Sequence, residues 1–178
     1  MNDLSGLRWL AREALPEAVA LLADVPPPLL LRSHRSTAIR EYVSWWIRNP
    51  DPAGSFAAKT RWLRKLPSPL LTHLLLMLGY DGLLYVDEGT VMGHVFFQRR
   101  GTALHGFSTA VAESAGGHGY SAVMLLDFIA YASALPGIDR ARVGTGRTSA
   151  SRRLLERLGR NQARLGWRVT ADGWVTFR

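Results

Sequence analysis

The chain of 178 residues contains no cysteine. Disulfides, thiolate metal sites and cysteine nucleophiles are therefore excluded. Lysine is nearly absent, with only Lys59 and Lys65, so the net charge of +8 is carried by arginine. No run of basic residues stands out, so a nucleic-acid-binding tail is not expected. The five histidines (His34, His73, His94, His105 and His118) show no ligand-like pairing, and no metal site is expected. Long apolar runs are missing too. The most apolar segment, Leu70 to Leu78, contains His73 and is too short to cross a bilayer. Arg8, Arg12, Glu13 and Glu17 interrupt the N-terminal apolar residues, which argues against a signal peptide. A cytoplasmic protein is the expectation.

What is present is ordinary for a globular chain: 47% apolar and 20% charged residues. The length suits one well-packed domain over residues 1–178. The arginine excess has two readings. One is the composition of a GC-rich genome. The other is an anionic partner such as a phosphorylated cofactor or an acidic carrier protein.

The chain is organised around residues 103–134. Leu104, His105, Phe107, Thr109 and Val111 belong to an alternating run that reads as a strand. Gly116, Gly117, His118 and Gly119 follow, and then Val123, Leu125, Leu126, Ile129 and Ala130 recur at helical spacing. Strand, glycine loop and helix make an anion site, because the loop aims backbone N–H groups at one point. The helix N-terminus adds unpaired donors and positive charge. The competing reading is a plain tight turn between strand and helix.

Upstream, the spacing predicts helices over residues 36–47, 56–66 and 68–78, with Ser36 and Ser68 as caps. Leu7 to Glu13 is open between a first strand and a helix start, and Pro26-Pro27-Pro28 ends a helix reaching Asp24. The period then changes to two. Residues 82–86 and 91–97 read as strands joined by a hairpin at Asp87-Glu88-Gly89-Thr90. Ala141 to Gly146 reads as a short buried strand, Ser149 or Ser151 caps a helix, and a last hairpin joins 167–169 to 174–177. The fold class is α+β: a mixed, mostly antiparallel sheet flanked by helices.

Gly117-His118-Gly119-Tyr120-Ser121-Ala122 also fits a dinucleotide fingerprint. That fingerprint belongs after the first strand of a parallel unit, with an acid ending the next strand. Here the loop follows antiparallel hairpins and Asp139 precedes its strand, so a Rossmann oxidoreductase is disfavoured.

The order of elements is similar to that of the GNAT superfamily of acyl-CoA-dependent N-acyltransferases. The family's loop reads Arg/Gln-x-x-Gly-x-Gly/Ala after a strand ending in valine. Val111, Gly119 and Ser121 resemble its strand end, glycine and last small residue, and Gly117 stands where the family commonly has glycine. Gly116 replaces the basic or amide residue. The resemblance covers roughly residues 82–178, with residues 1–80 as a helical acceptor-side region. It implies acetyl-CoA or another acyl-CoA as co-substrate, its pyrophosphate held by Gly116, Gly117, His118, Gly119, Tyr120, Ser121 and Ala122. Its pantetheine arm would lie between splayed strands 103–112 and 141–146.

Acyl transfer from a thioester to an amine needs a base and an oxyanion donor, with an optional acid for the thiolate. His105 is the first candidate base. It lies six residues before Val111 and is expected on the same strand face, near the place of a glutamate base in some family members. Glu113 is the second. The family's acidic tyrosine falls on Leu155, a departure that leaves Ser149, Ser151 or water for the role. The acceptor is expected to be a small-molecule or peptide amine, with an acidic acyl carrier protein as a further partner. A non-catalytic CoA- or carrier-binding module is the alternative. Trp45, Trp46 and Trp62 among Arg40, Arg48, Arg61 and Arg64 suggest an acceptor surface. The plain reading makes the tryptophans core, which suits Trp46 better than Trp45. Monomer and homodimer both stand.

Overall fold

A computed structural model describes residues 25–33, 36–48, 65–113, 120–143, 155–156, 159–160 and 166–177. Its elements are β1 (Leu29–Leu30), α1 (Thr37–Arg48), α2 (Ser68–Met77), β2 (Tyr80–Asp87), β3 (Thr90–Arg100) and β4 (Ala103–Val111). Then come α3 (Tyr120–Ala134), β5 (Arg140–Arg142), β6 (Arg168–Val169) and β7 (Trp174–Thr176). The seven strands form one sheet in the order β1-β2-β3-β4-β5-β7-β6. Every pairing is antiparallel except β4 with β5, which α3 connects as a crossover. The mixed, mostly antiparallel sheet flanked by helices is thus observed.

Strand alternation splits the core in two. Leu83, Tyr85, Val95, Phe97, Leu104, Ala141 and Val175 face α3. That helix is buried continuously from Val123 to Ala132, as expected for one that is apolar all round. Leu84 and Phe96 face the other way and pack with Ile39, Val43 and Ile47 of α1 and Leu71 and Leu75 of α2. Several buried polar groups are paired, whereas Ser44 Oγ of α1 has no hydrogen-bond partner. Tyr85 Oη donates to Asp127 Oδ2 at 3.0 Å, joining β2 to α3. Asp81, 1% exposed, is ion-paired with Arg32 and also accepts from the Gly82 amide.

Turn chemistry follows the sequence. In the β2–β3 hairpin Glu88 and Gly89 have φ of 45° and 81°, the left-handed pair that suits the twist of a two-residue turn. Gly79, with φ 78°, ends α2.

Several expectations are corrected. The first described strand is Leu29–Leu30, directly after the prolines, and it pairs with Leu83 and Leu84 of β2. Two residues carry no periodic signal. Ser68 lies inside the first turn of α2 and makes no side-chain cap bond; the N-cap is Pro67. The hairpin strands β2 and β3 run to Tyr80–Asp87 and Thr90–Arg100, longer than read. Residues 7–24, 56–64, 144–146, Ser149 and Ser151 lie outside the described residues.

Candidate functional site

The single parallel pairing is the place to start. β4 and β5 pair through Ala103↔Arg140, Leu104↔Ala141 and His105↔Arg142, and the pairing goes no further among the described residues. At the same level β4 carries a bulge. Phe97 pairs with Gly106 and Phe96 with Ser108, so Phe107 is the extra residue. A bulge bends its strand and adds twist. The bend falls just past His105, at the last described level of the β4–β5 pairing. Gly106 is needed at this point. A Cβ there would lie 3.1 Å from the Arg142 carbonyl oxygen and 3.3 Å from Phe128 Cε1, so β4, β5 and α3 meet over a missing side chain.

The bulge also shifts the phase of β4. Leu104 and Val111 both pack on the α3 side, whereas His105 lies on the opposite face from Leu104. His105 and Val111 therefore do not share a face as expected, because Phe107 adds one residue between them. His105 instead meets the Trp174 ring edge-on, with centroids 5.0 Å apart. Partial burial and the charges of Arg100, Arg142 and Arg140 hold its pKa below the usual value. Both effects favour the neutral form of the imidazole.

Val111 ends β4, half-buried, and Tyr120, Ser121 and Ala122 form the first turn of α3, also half-buried. The first turn of a helix points its backbone N–H groups out of the helix end. Glu113 follows β4 on the surface, exposed. Gly116, Gly117, His118, Gly119 and Ser149 lie outside the described residues.

Sequence reasoning missed the centre of the second face. His94 on β3 is 0% exposed. Its Nδ1 lies 2.8 Å from Tyr42 Oη of α1, and its Nε2 lies 3.0 Å from Ser108 Oγ of β4. The ring stacks on Phe96 at 4.1 Å and meets the edge of Trp46 at 5.5 Å. Burial pushes the His94 pKa down to about 3 and the Tyr42 hydroxyl up to about 12. Both groups are neutral throughout the physiological range. At about 1.4 kcal/mol per pH unit, charging His94 in place costs several kcal/mol. His94 therefore does not act as a base that would turn Ser108 into a nucleophile. It is a neutral bridge fixing α1 against β4 beside the bulge. The available signal was a histidine in the inward phase of an apolar strand, flanked by Val95 and Phe96.

Beside this bridge lies a shallow, partly open apolar cleft with room for little more than a single water molecule. Leu31, Val43, Trp46, Leu75, Tyr80, Asp81, Phe96 and Phe107 line it. Trp46 is half-buried against His94, Phe96 and Phe107, whereas Trp45 is 59% exposed. Arg40 and Arg48 also lie on α1; Trp62, Arg61 and Arg64 lie outside the described residues. Among the described residues, no three histidine, aspartate or glutamate side chains are grouped to hold a metal ion. No described helix is long and apolar enough to cross a membrane.

No family model matches the chain, and no curated protein matches it. Among solved structures it is similar to Tetrahymena GCN5, at 14% identity and a TM-score of 0.42, over 64% of this chain and 67% of that one. It is also similar to Arabidopsis thaliana NAA60 in complex with a bisubstrate analogue, at 13% identity and a TM-score of 0.44, over 78% of this chain and 88% of that one.

Proposed function

We propose that the protein is an acyl-CoA-dependent N-acyltransferase, with acetyl-CoA as the default donor and a small-molecule or peptide amine as acceptor. One observation carries most of this reading. Among the described residues the sheet is antiparallel except for one parallel pair, β4 and β5, joined through α3, and β4 bulges at Phe107 just beyond His105. The bulge would turn β4 away from β5, and two strands that splay around a loop and a helix start would offer backbone groups to an extended ligand. The pantetheine arm of CoA is such a ligand.

The residues suit the donor by their chemistry. The first turn of α3, from Tyr120, presents backbone donors, and the preceding glycine-rich stretch adds more. Gly116, Gly117, His118 and Gly119 would share the pyrophosphate with Tyr120, Ser121 and Ala122. The donor supplies the thioester. His105, neutral in its arginine surroundings, would take the proton from the acceptor ammonium before attack, or from the zwitterion that the free amine forms on attack. Glu113 is exposed beyond the strand end and is the weaker candidate base. Ser149 is the candidate for protonating the departing thiolate.

A second reading has its own observation. Leu155, at the family's tyrosine position, is 9% exposed and belongs to the core around α3. No acid stands there, which suits a module that binds CoA or an acyl carrier protein without turnover. One experiment separates the two. The purified protein is incubated with acetyl-CoA and a panel of amines and peptides, and free thiol is followed. The transferase releases thiol only when an acceptor is present. Binding of CoA with no release under any acceptor favours the module, and the absence of both rejects the reading.

A further inference from the structure

The outer half of the sheet has a face that no described helix covers. Ala141 and Val175 turn inward to α3 and are fully buried. Their neighbours in sequence turn outward. His105, Arg142 and Trp174 form one cross-strand row, and Arg140, Thr176 and Arg168 form the next. No residue of β5, β6 or β7 belongs to the core beneath α1 and α2. Arg140, Arg142 and Arg168 are exposed, and Arg100 is exposed at the adjoining end of β3. Trp174 orders the arginines: Arg140 Cζ lies 5.0 Å and Arg142 Cζ 5.7 Å from its ring centroid. Among the described carboxylates only Asp139 reaches the group, 3.7 Å from Arg140.

Like charges on neighbouring strands repel. Held together by one tryptophan, they form a preorganised cationic strip. From β4 across β5 and β7 to β6 the strip spans roughly 14 Å at about 4.8 Å per strand. That is too long for one small dianion and matches about four residues of extended peptide at about 3.3 Å each. Trp174 is the only aromatic ring besides His105 in the two rows, and two guanidiniums already engage it. No free ring is left for base stacking, which disfavours single-stranded nucleic acid.

We propose that the β4–β5–β7–β6 face binds an acidic segment of an extended peptide, its carboxylates on Arg140, Arg142 and Arg168. The peptide runs towards His105 at the β4 end of the strip. This names the acceptor class and rests on the acyltransferase reading for the word acceptor; the binding surface itself does not.

The test is fluorescence anisotropy of dye-labelled hexaglutamate against the full chain, without CoA, in 50 mM and 300 mM salt. The expected result is saturable binding that weakens with salt. The Arg140→Glu/Arg142→Glu double variant should weaken it at least ten-fold, and Arg168→Glu alone about three-fold. Arg40→Glu/Arg48→Glu, on α1, should change it less than two-fold. Should the first double variant lose its fold by circular dichroism, the Arg168→Glu result decides. Absence of binding at 50 mM salt overturns the proposal. So does equal loss in the α1 variant, and so does tighter binding of a hexathymidylate of similar charge. Thiol release is measured separately, so failure of the transferase reading and failure of this one are distinguishable.

Discussion

His94 Nε2 lies 3.0 Å from Ser108 Oγ, and the same fully buried ring reaches Tyr42 Oη through Nδ1 at 2.8 Å. Burial holds the His94 pKa at about 3, whereas an unfolded histidine titrates near 6.5. Between those values the unfolded chain binds the extra proton, so this contribution to stability is complete above about pH 6.5 and falls as pH drops towards 3. The slope from this one residue approaches about 1.4 kcal/mol per pH unit. Urea unfolding at pH 7 and pH 5 should show a smaller loss on acidification for His94→Gln than for the parent. Equal losses in the two proteins would show that His94 does not titrate on unfolding.

Ser108→Ala and Tyr42→Phe each leave one buried nitrogen of His94 without its partner. Each should cost about 1–3 kcal/mol in stability. Because both act on one ring, the double variant should depart from additivity by at least about 0.5 kcal/mol. Chemical denaturation of the four proteins in the cycle checks this.

Much of the frame was legible before the structure. The alternation through residues 103–111 marks β4, and the change of period after Gly79 marks the hairpins, because strand periodicity depends only on which face is buried. The continuous apolar run from Val123 marks α3. Three features were not legible, for a shared reason. The bulge at Phe107 exists only in the register of β4 against β3, and no residue of β4 announces it. Its consequence, the opposite facing of His105 and Val111, was therefore read wrongly. The Tyr42–His94–Ser108 bridge joins residues 52 and 14 positions apart in sequence. The strand Leu29–Leu30 is too short to have a period, and the prolines before it signal an interruption.

Gly106 tests the junction of β4, β5 and α3. The approach of 3.1 Å to the Arg142 carbonyl leaves no room for a branched side chain. Gly106→Val should destabilise by about 1–3 kcal/mol through overpacking. It should also weaken acetyl-CoA binding at temperatures where the variant remains folded. Thermal melts with titrations below the transition check both effects.

His105 should titrate below the usual histidine range, because burial and Arg100, Arg142 and Arg140 disfavour its charged form. Proton NMR of its ring should place the midpoint below about 6.5. Arg142→Ala removes one of those cations and should raise the midpoint. On the acyltransferase proposal, His105→Ala should cut turnover at least about 100-fold, the usual worth of a general base, while leaving the fold intact. Unchanged turnover would remove His105 from the mechanism.

The most direct test of the acyltransferase reading is calorimetric titration of the protein with acetyl-CoA, with NADH as control and with Gly119→Val as the variant. Micromolar binding of acetyl-CoA, lost at least ten-fold in a folded Gly119→Val protein, with none for NADH, is the predicted result. A folded protein that takes up no acetyl-CoA, or that binds NADH instead, contradicts it.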